Sequence, residues 1–288
     1  MASRSLSRAL FLGGVAILVI LVVAYALRKP EPPPPAPKEF DPSRFVAGGQ
    51  PQLDAPYLAT GYEVVDAMLA MADVGPDDYV VDLGSGDGRI LIAAARSHGA
   101  RGLGVDIDPA RIRESTANAR AAGVGHRVNF QREDLFETEI GEADVLTLYL
   151  LPEINLQLRP RILAEMRPGT RVVSNSYDMG DWRPDRRQRI GDSTVYMWIV
   201  PARVGGRWLL TDGDRQAQLE IRQAYQLLDG TISVDGRSAR IEQGQVNGAR
   251  IHFVADLGGG RRAYEGRVDG DSIVPHQASA GWRAARVS

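Results

Sequence analysis

Cysteine is absent from this sequence of 288 residues, and that absence excludes several kinds of chemistry. Thiol nucleophiles, CxxC redox pairs, cysteine zinc sites and disulfides all need this residue. Lysine is nearly as scarce, because only Lys29 and Lys38 occur. The chain after residue 40 therefore has no Walker lysine, Schiff-base lysine or pyridoxal-phosphate anchor. No HExxH spacing occurs, so no metal site is predicted, and the histidines are scattered, at His98, His126, His252 and His276.

The net charge changes sign along the chain. Residues 1–40 carry +3, residues 41–200 carry −7 and residues 201–288 carry +2. A hydrophobic share of 44% with 24% charged residues is that of a globular protein and excludes wholesale disorder. Because the largest segment is acidic, a broad face for binding polyanions is disfavoured. We predict no nucleic-acid partner.

A long uncharged run occupies residues 9–27, after a basic segment at residues 1–8. As a helix the run would reach about 28 Å at ~1.5 Å per residue, close to the ~30 Å hydrocarbon core of a bilayer. This predicts a transmembrane helix. A cleaved signal peptide is the alternative, with residues 24–26 as a small-x-small cleavage site, but the run is long for the apolar part of a signal. We therefore favour the uncleaved anchor.

A proline-rich stretch follows at residues 28–40. It predicts a stiff polyproline II linker about 25 Å long at ~3.1 Å per residue. Lys and Arg side chains number three after the predicted span and two before it. This slight excess agrees with a cytosolic location for the C-terminal side.

Two domains are predicted after the linker, at residues 41–200 and 201–288. Helical and extended signals alternate in the first, which is the pattern of an α/β domain around a mostly parallel sheet. The second has short alternating runs broken by glycine, which predict an all-β accessory domain that is barrel-like or sandwich-like. Within it, similar sequences at residues 244–251 and 266–273 predict two similar hairpins.

The most informative stretch is residues 80–89, with the sequence VVDLGSGDGR. A buried strand runs into glycines and then a helix, so the backbone can approach a ligand closely and helix N–H groups can attract its anionic end. A dinucleotide fingerprint would need a third glycine where Arg89 stands. A Rossmann dehydrogenase is therefore disfavoured. Taken alone, the motif also fits a tight strand-to-helix turn without a ligand.

Acidic residues follow or end three successive predicted strands, at Asp82, Asp106 and Asp134. Carboxylates at the rim of a buried sheet are costly unless they have donors to pair with. Asp106 lies about 20 residues past the glycines, where an acidic side chain accepts hydrogen bonds from both ribose hydroxyls of a nucleotide. The three acids together therefore favour a ligand site over a bare turn.

The sequence resembles a family at these residues. DLGSGDGR, then GVDIDP, REDL and LYLLPEINLQLRPRI, look like a class I S-adenosylmethionine-dependent methyltransferase, and specifically like bacterial relatives of the lysine methyltransferases of the ATP-synthase c-subunit. The likeness covers roughly residues 56–201. It implies a doubly wound, seven-stranded Rossmann-like sheet whose last strand is antiparallel.

The resemblance also implies S-adenosyl-L-methionine as cofactor and a role for each motif residue. Its methionine moiety would lie on the glycine loop, its ribose at the end of the second strand and its adenine after the third. Two residues of PYLATGYEVV match a segment that covers the cofactor in the family. The implied binding residues are Tyr57, Thr60, Asp82, Gly84, Ser85, Gly86, Asp106, Ile107, Asp134 and Leu135.

The acceptor side departs from a known pattern. Residues 149–152 read YLLP where amino-group methyltransferases acting on glutamine, adenine or cytosine have an NPPY-like motif, which disfavours those acceptors. Methyl transfer from a sulfonium needs positioning and desolvation rather than a metal or covalent nucleophile. Tyr149 is the predicted acceptor contact, through its hydroxyl or its ring face. Core packing is the alternative for Tyr149. Weaker candidates are Asn155, Asn175, Asp178, Asp181, Trp182 and Trp198.

These expectations combine into one functional prediction, a membrane-anchored methyltransferase whose leading candidate acceptor is protein lysine. Methylation of a small molecule or lipid is the first alternative. A non-catalytic cofactor-binding scaffold whose β domain binds a partner is the second. Because the resemblance implies a cofactor that is made in the cytosol, we expect a single-pass protein of the inner (cytoplasmic) membrane with its catalytic domain in the cytosol.

Overall fold

The computed structural model describes residues 59–256, 259–277 and 281–287. The predicted transmembrane helix, the proline-rich linker and Tyr57 lie outside these ranges. Within them, no helix has both the length and the apolar character that crossing a membrane requires.

The first sheet has seven strands in the order β3-β2-β1-β4-β5-β7-β6. Neighbours among β1 to β5 are parallel, and β7 runs antiparallel to both β5 and β6. The expected doubly wound sheet with an antiparallel last strand is therefore confirmed. The strands are β1 (Tyr79–Leu83), β2 (Arg101–Asp106), β3 (Val128–Arg132), β4 (Val145–Leu148), β5 (Arg171–Asn175), β6 (Arg186–Ile190) and β7 (Ser193–Ile199).

Helices cover both faces of this sheet, because successive residues of its buried strands point to opposite sides. Val80 packs in one hydrophobic core and Val81 in the other, and neither is exposed. The first core receives the first three helices and the second core receives the fourth. The helices are α1 (Tyr62–Met71), α2 (Arg89–His98), α3 (Pro109–Ala121) and α4 (Pro152–Glu165).

Helix α3 begins where its sequence predicts. The Asp108 carboxylate accepts a hydrogen bond from the Ala110 N–H at 2.7 Å, and Pro109 occupies the first helical position. This is an N-cap followed by proline, both of which favour a helix start. It fixes the turn between β2 and α3, beside which the candidate site lies.

Strand β6 is a finding that the sequence pattern does not predict. Its sequence, RRQRI, has no alternation of apolar and polar residues, because it is an edge strand whose residues are exposed except for the partly buried Ile190. Pairing with β7 alone defines it. Residues 176–185 connect β5 to β6 without a helix, and their only bridge joins Met179 to Trp182.

The second sheet forms the β module, which we define as residues 206–286 within the described part of the chain. Its strand order is β11-β10-β12-β13-β14-β15-β16-β8-β9, and β9 also pairs with β10, so the sheet closes on itself as an antiparallel barrel. The strands are β8 (Gly206–Asp212), β9 (Arg215–Ala224), β10 (Leu227–Val234), β11 (Arg237–Arg240), β12 (Glu242–Asn247), β13 (Arg250–Asp256), β14 (Arg261–Asp269), β15 (Ser272–Pro275) and β16 (Trp282–Arg286).

The two similar hairpins predicted in this module are confirmed. Gly248 starts the turn between β12 and β13, and Gly270 starts the turn between β14 and β15. The repeated glycine before each turn also has a physical reason. A Cβ atom would lie 2.5 Å from the Leu228 carbonyl oxygen at Gly244 and 2.6 Å from the Val274 carbonyl oxygen at Gly266. Only glycine lets the neighbouring strands approach this closely.

Candidate cofactor and acceptor site

The glycine loop joins β1 to α2 at the carboxyl edge of the first sheet. Gly84, Gly86 and Gly88 have φ values of +79°, +53° and +82°, a region that favours glycine. The N–H groups of Gly84 and Ser85 both donate to the Val105 carbonyl, at 2.9 and 2.8 Å. The loop is thereby folded over the end of β2, with the N-terminus of α2 behind it. This is the geometry expected of a loop that binds an anionic ligand.

Asp82 is buried beneath this loop, with 2% of its surface exposed. Its Oδ1 accepts a hydrogen bond from the Thr147 hydroxyl at 2.7 Å. Among the described residues neither its Oδ2 nor the buried Oγ of Ser85 has a hydrogen-bond partner. Burial raises the pKa of Asp82 to about 7, and the carboxylates of Asp106 and Asp87 add to the effect.

Unpartnered buried polar atoms in a native structure call for an explanation such as a bound ligand. A ligand with an ammonium group would satisfy the Asp82 Oδ2, and a ligand carboxylate would satisfy the Ser85 hydroxyl. The methionine moiety of S-adenosylmethionine carries both groups. The residues present therefore fit the cofactor that the sequence predicts.

Asp106 ends β2 and ties the glycine loop to the next turn. Its two carboxylate oxygens accept hydrogen bonds from the Gly86 N–H and the Asp108 N–H, both at 3.0 Å. Burial raises its pKa, and these two hydrogen bonds oppose the rise. Since each carboxylate oxygen has two lone pairs, the side chain keeps acceptor capacity for ligand hydroxyls. The neighbouring Ile107 is half-buried, and its carbonyl accepts from Arg132.

The loop after β3 carries Asp134 and Leu135, both half-buried. The Asp134 Oδ1 accepts a hydrogen bond from the Phe136 N–H at 2.8 Å. Arg161 of α4 donates to the carbonyls of Leu135, Phe136 and Thr138. The loop is thus held in place from the second face of the sheet, at the same edge as the glycine loop and Asp106.

Arg89 makes a connection that the sequence pattern does not reveal. Its guanidinium donates to the Thr60 carbonyl at 2.6 Å, pairs with Asp87 at 2.5 Å, and lies 5.2 Å from the centroid of the Tyr62 ring. Thr60 itself is buried. Arg89 therefore ties the segment before α1 to the glycine loop. The available signal was its position directly after the GxGxG motif.

The register of the parallel strands aligns three strand ends beside one another. Leu83 of β1 pairs with Leu148 of β4, which pairs with Ser174 of β5. The residues that follow these three strand ends are therefore neighbours at the carboxyl edge of the sheet, and the glycine loop lies next to Tyr149. Tyr149 is half-buried. A ligand held over β1 to β3 would thus present its end toward β4 and β5.

The weaker acceptor-side candidates form three groups, which are two exposed aspartates, two buried asparagines and two buried tryptophans. Asp178 and Asp181 are exposed on the segment after β5, whereas Asn175 is buried at the end of β5. Asn155 lies within α4 rather than at a strand end, and its Nδ2 donates to the Ser174 Oγ at 3.2 Å.

Trp182 and Trp198 form the third group. Neither ring is exposed, and both pack in the second hydrophobic core. The Trp198 indole N–H donates to the Trp182 carbonyl at 2.7 Å. These two tryptophans are core residues in the structure. Among the described residues, no group of three metal-ligating side chains lies together.

Comparison with known proteins identifies relatives of this chain. The protein-family model of the ANTKMT methyltransferase domain matches residues 82–186 of this chain. A protein-lysine N-methyltransferase from Saccharolobus islandicus is 41% identical over 150 residues, which cover 50% of this chain and 93% of that protein. The lysine N-methyltransferase of the ATP-synthase c-subunit from Xenopus laevis is 30% identical over 158 residues, covering 55% of this chain and 69% of the relative.

A solved structure matches as well. It is described as an RNA methyltransferase from Salinibacter ruber in complex with S-adenosyl-L-homocysteine. It is 51% identical, covers 51% of this chain and 96% of its own, and has a TM-score of 0.50.

The sheet order, the glycine loop and these matches define a class I methyltransferase that uses S-adenosyl-L-methionine. The chain belongs to the methyltransferase family that is related to the lysine methyltransferases of the ATP-synthase c-subunit. The predicted enzyme class and cofactor are therefore confirmed.

Proposed function

We propose that this chain methylates lysine side chains of a protein acceptor. The observation that carries the proposal is the 41% identity to a protein-lysine N-methyltransferase over 93% of that relative's length. The relative of known structure described as an RNA methyltransferase points to a different acceptor. The net charge of −7 on residues 41–200 favours the protein acceptor, because a polyanion would be repelled.

The cofactor residues are proposed from the geometry of the sheet edge and, for Tyr57, from the family resemblance alone. Asp82 and Ser85 meet the ammonium and carboxylate of the methionine moiety below the Gly84–Gly86 loop. Asp106, with Ile107 beside it, meets the ribose. The adenine lies by Asp134 and Leu135, and the segment with Tyr57 and Thr60 covers the cofactor. The buried oxygens of Asp82 and Ser85, which have no hydrogen-bond partner in the part of the chain that the structure describes, support the first of these roles.

Bound cofactor supplies a methyl group on a sulfonium, a good leaving group. A lysine Nζ would take that methyl group by in-line displacement, with S-adenosylhomocysteine as the leaving group and the amine proton released to solvent. The protein holds the two reactants in line and excludes water. Tyr149 lies at the end of β4, next to the glycine loop, where its ring or hydroxyl would face the amine.

We further propose that the enzyme is tethered to the inner membrane with its catalytic domain in the cytosol. The tether is proposed from the uncharged run at residues 9–27 and the linker at residues 28–40. It would keep the site close to membrane proteins. A reporter fused after Ser288 tests the orientation: a cytosolic reporter should be active there, and alkaline phosphatase activity at that position would overturn it.

Transfer of a labelled methyl group tests the acceptor. The full chain, purified in detergent, is incubated with labelled S-adenosylmethionine and with a membrane-protein fraction, a lipid extract or a small-molecule pool from its source cells. We expect label on lysine in the protein fraction, and less with the Asp106→Ala variant. Label confined to lipid or small molecules would overturn the lysine proposal. Self-methylation is controlled with Lys29→Arg and Lys38→Arg, since these are the chain's only lysines.

A further inference from the structure

The connection between β5 and β6 lies at the end of the sheet edge where an acceptor would enter. We call residues 176–185 the acceptor-side segment. Helix α4 holds it on one side: the Asn155 amide donates to the Tyr177 carbonyl at 3.3 Å, and Arg159 donates to the Met179 carbonyl at 2.7 Å. Since this connection has no helix of its own, its conformation depends on contacts with its neighbours.

The β module supplies contacts on the other side of this segment. Trp182 is fully buried, and the Tyr225 ring stacks on it with centroids 6.0 Å apart and an interplanar angle of 14°. Tyr225 belongs to the turn between β9 and β10. Its hydroxyl donates to the Asp181 carboxylate at 2.9 Å, and the amide of Gln226 donates to the Arg183 carbonyl at 2.7 Å. A two-residue turn thus contacts three consecutive residues of the segment.

Arg159 joins the two sides of this arrangement. Its guanidinium forms an ion pair with Asp181 and lies 5.5 Å from the centroid of the Tyr225 ring. Burial, and then the hydrogen bond to Asp181, raise the pKa of the Tyr225 phenol, so it keeps its proton and remains a donor at neutral pH. The segment is therefore held between α4 and the β module by one connected set of polar and aromatic contacts.

The backbone of Tyr225 shows that this contact has a cost within the module. Tyr225 takes the first position of its turn with φ +55°. Glycine takes the same position, with φ between +54° and +59°, in the turns that start at Gly213, Gly248 and Gly270. A bulky residue is disfavoured in this region. The barrel alone would be served better by glycine, so the tyrosine is explained by what its side chain contacts.

We propose that Tyr225 is a positioning residue through which the β module fixes the acceptor-side segment for catalysis. The identification of the segment with acceptor binding rests on the proposed function. The β module is thereby part of the acceptor site and leaves the cofactor site untouched. The Saccharolobus islandicus relative lacks such a module, because 150 residues cover 93% of it and leave no room for a second domain of this size.

Three variants of the full chain test this proposal. Tyr225→Gly removes the side chain and restores the residue preferred in the turn. Tyr225→Phe keeps the stack on Trp182 and removes the donor to Asp181. Asp235→Gly is the matched control, because Asp235 takes the same position with φ +49° in the turn between β10 and β11. The readouts are hydrogen exchange in residues 176–185, calorimetric affinity for S-adenosylhomocysteine, and methylation of the detergent-solubilised ATP-synthase c-subunit as probe acceptor.

With Tyr225→Gly we expect exchange in the segment to quicken by roughly tenfold or more, as for a region that loses its tertiary contacts. Acceptor KM should rise while affinity for S-adenosylhomocysteine stays within about twofold of wild type. Exchange and acceptor KM of Tyr225→Phe should lie between those of the wild type and Tyr225→Gly, because the conservative variant keeps the ring. Asp235→Gly should match wild type in every readout.

Unchanged exchange in residues 176–185 with Tyr225→Gly would overturn the proposal. A fall in affinity for S-adenosylhomocysteine as large as the rise in acceptor KM would overturn it as well. If Tyr225→Gly fails to fold, Tyr225→Phe decides: exchange at the wild-type rate and an unchanged acceptor KM would contradict the positioning role. Failure of the wild-type chain to methylate the ATP-synthase c-subunit would count against that acceptor alone, because the exchange measurement still decides whether Tyr225 fixes the segment.

Discussion

The two ends of the carboxyl edge of the first sheet are built in different ways. At the cofactor end, residues of short sequence motifs define the site: Asp106 accepts hydrogen bonds from the N–H groups of Gly86 and Asp108, and the glycine loop folds over the end of β2. At the acceptor end, residues 176–185 are held by side chains from α4 and from the β module. A local motif can specify the first end, whereas the second depends on distant partners.

The largest effect is expected from filling the glycine loop. A Cβ at Gly88 would lie 2.6 Å from the Phe130 ring at a φ of +82°. Gly88→Ala should therefore destabilise the protein by about 2–5 kcal/mol, from left-handed strain and overpacking together, and abolish binding of S-adenosylhomocysteine. Denaturant unfolding and calorimetry measure the two effects.

Gly123→Ala is the control for that substitution. Gly123 has a similar φ of +75°, but nothing lies within 4 Å of the position that a Cβ atom would take there. Its cost should be limited to the strain, about 1–2 kcal/mol. Equal costs for the two substitutions would show that close packing at the cofactor end is unimportant.

Removal of the ribose acceptor is expected to have the next largest effect. Asp106→Ala should weaken binding of S-adenosylhomocysteine by about 1.5–3 kcal/mol, the size of hydrogen bonds to a charged group. Asp108→Ala is the matched control, because it removes an N-cap worth about 1 kcal/mol of stability while leaving the ribose position unchanged. Equal affinities of the wild type and Asp106→Ala in calorimetry would remove Asp106 from this role.

The pH dependence of binding tests Asp82. The pKa of Asp82 in the folded, cofactor-free chain is about 7, above its ordinary value of 3.8. Protonation of Asp82 therefore stabilises this folded state, and that stabilisation is lost as pH rises toward 7. Binding of the ligand's ammonium group has the opposite pH dependence, because it needs the ionised carboxylate of Asp82. Affinity for S-adenosylhomocysteine should fall below pH 7 by up to about tenfold per pH unit.

Asp82→Asn provides the comparison for that titration. The variant should bind more weakly at pH 8 and show a flatter profile between pH 5.5 and 8.5, measured by calorimetry in matched buffers. A profile as steep as that of the wild type would assign the pH dependence to another group.

The smallest effect on the cofactor end is expected from removal of the β module. The proposed cofactor residues lie before Pro201. A fragment of residues 41–201 that folds should therefore bind S-adenosylhomocysteine with an affinity within about threefold of that of the full chain, a difference of under about 1 kcal/mol. Its stability should be lower, because Trp182 loses the Tyr225 ring that covers it. Loss of binding with an intact circular dichroism spectrum would show that the module contributes to the cofactor site.

The cofactor end could be predicted from the sequence because its signals are local. The glycines, Asp106 and the cap at Asp108 lie within a span of 25 residues, and each residue type has a physical reason to stand at its place. The seven-stranded, doubly wound sheet and its antiparallel last strand followed from the family resemblance. The position of strand β6 along the chain could not be predicted from the residue pattern, because an exposed edge strand lacks the apolar alternation that marks buried strands.

The acceptor end could not be predicted because its contacts join distant residues. Tyr225 of the β module reaches Asp181 of the acceptor-side segment across 44 positions. Nothing in the local sequence of a tyrosine at a hairpin turn indicates which domain its ring will cover. The same reason explains why the contact of Arg89 with the Thr60 carbonyl was missed.

Calorimetric titration of S-adenosylhomocysteine into the purified full chain at pH 8 measures whether the carboxyl edge of the first sheet binds the cofactor product. The oxygens of Asp82 and Ser85 that have no partner among the described residues, and the acceptor capacity of Asp106, predict saturable binding of one ligand per chain, weakened in Asp106→Ala and retained in Tyr225→Gly. Absence of measurable heat at millimolar ligand, with the chain folded, would contradict the account.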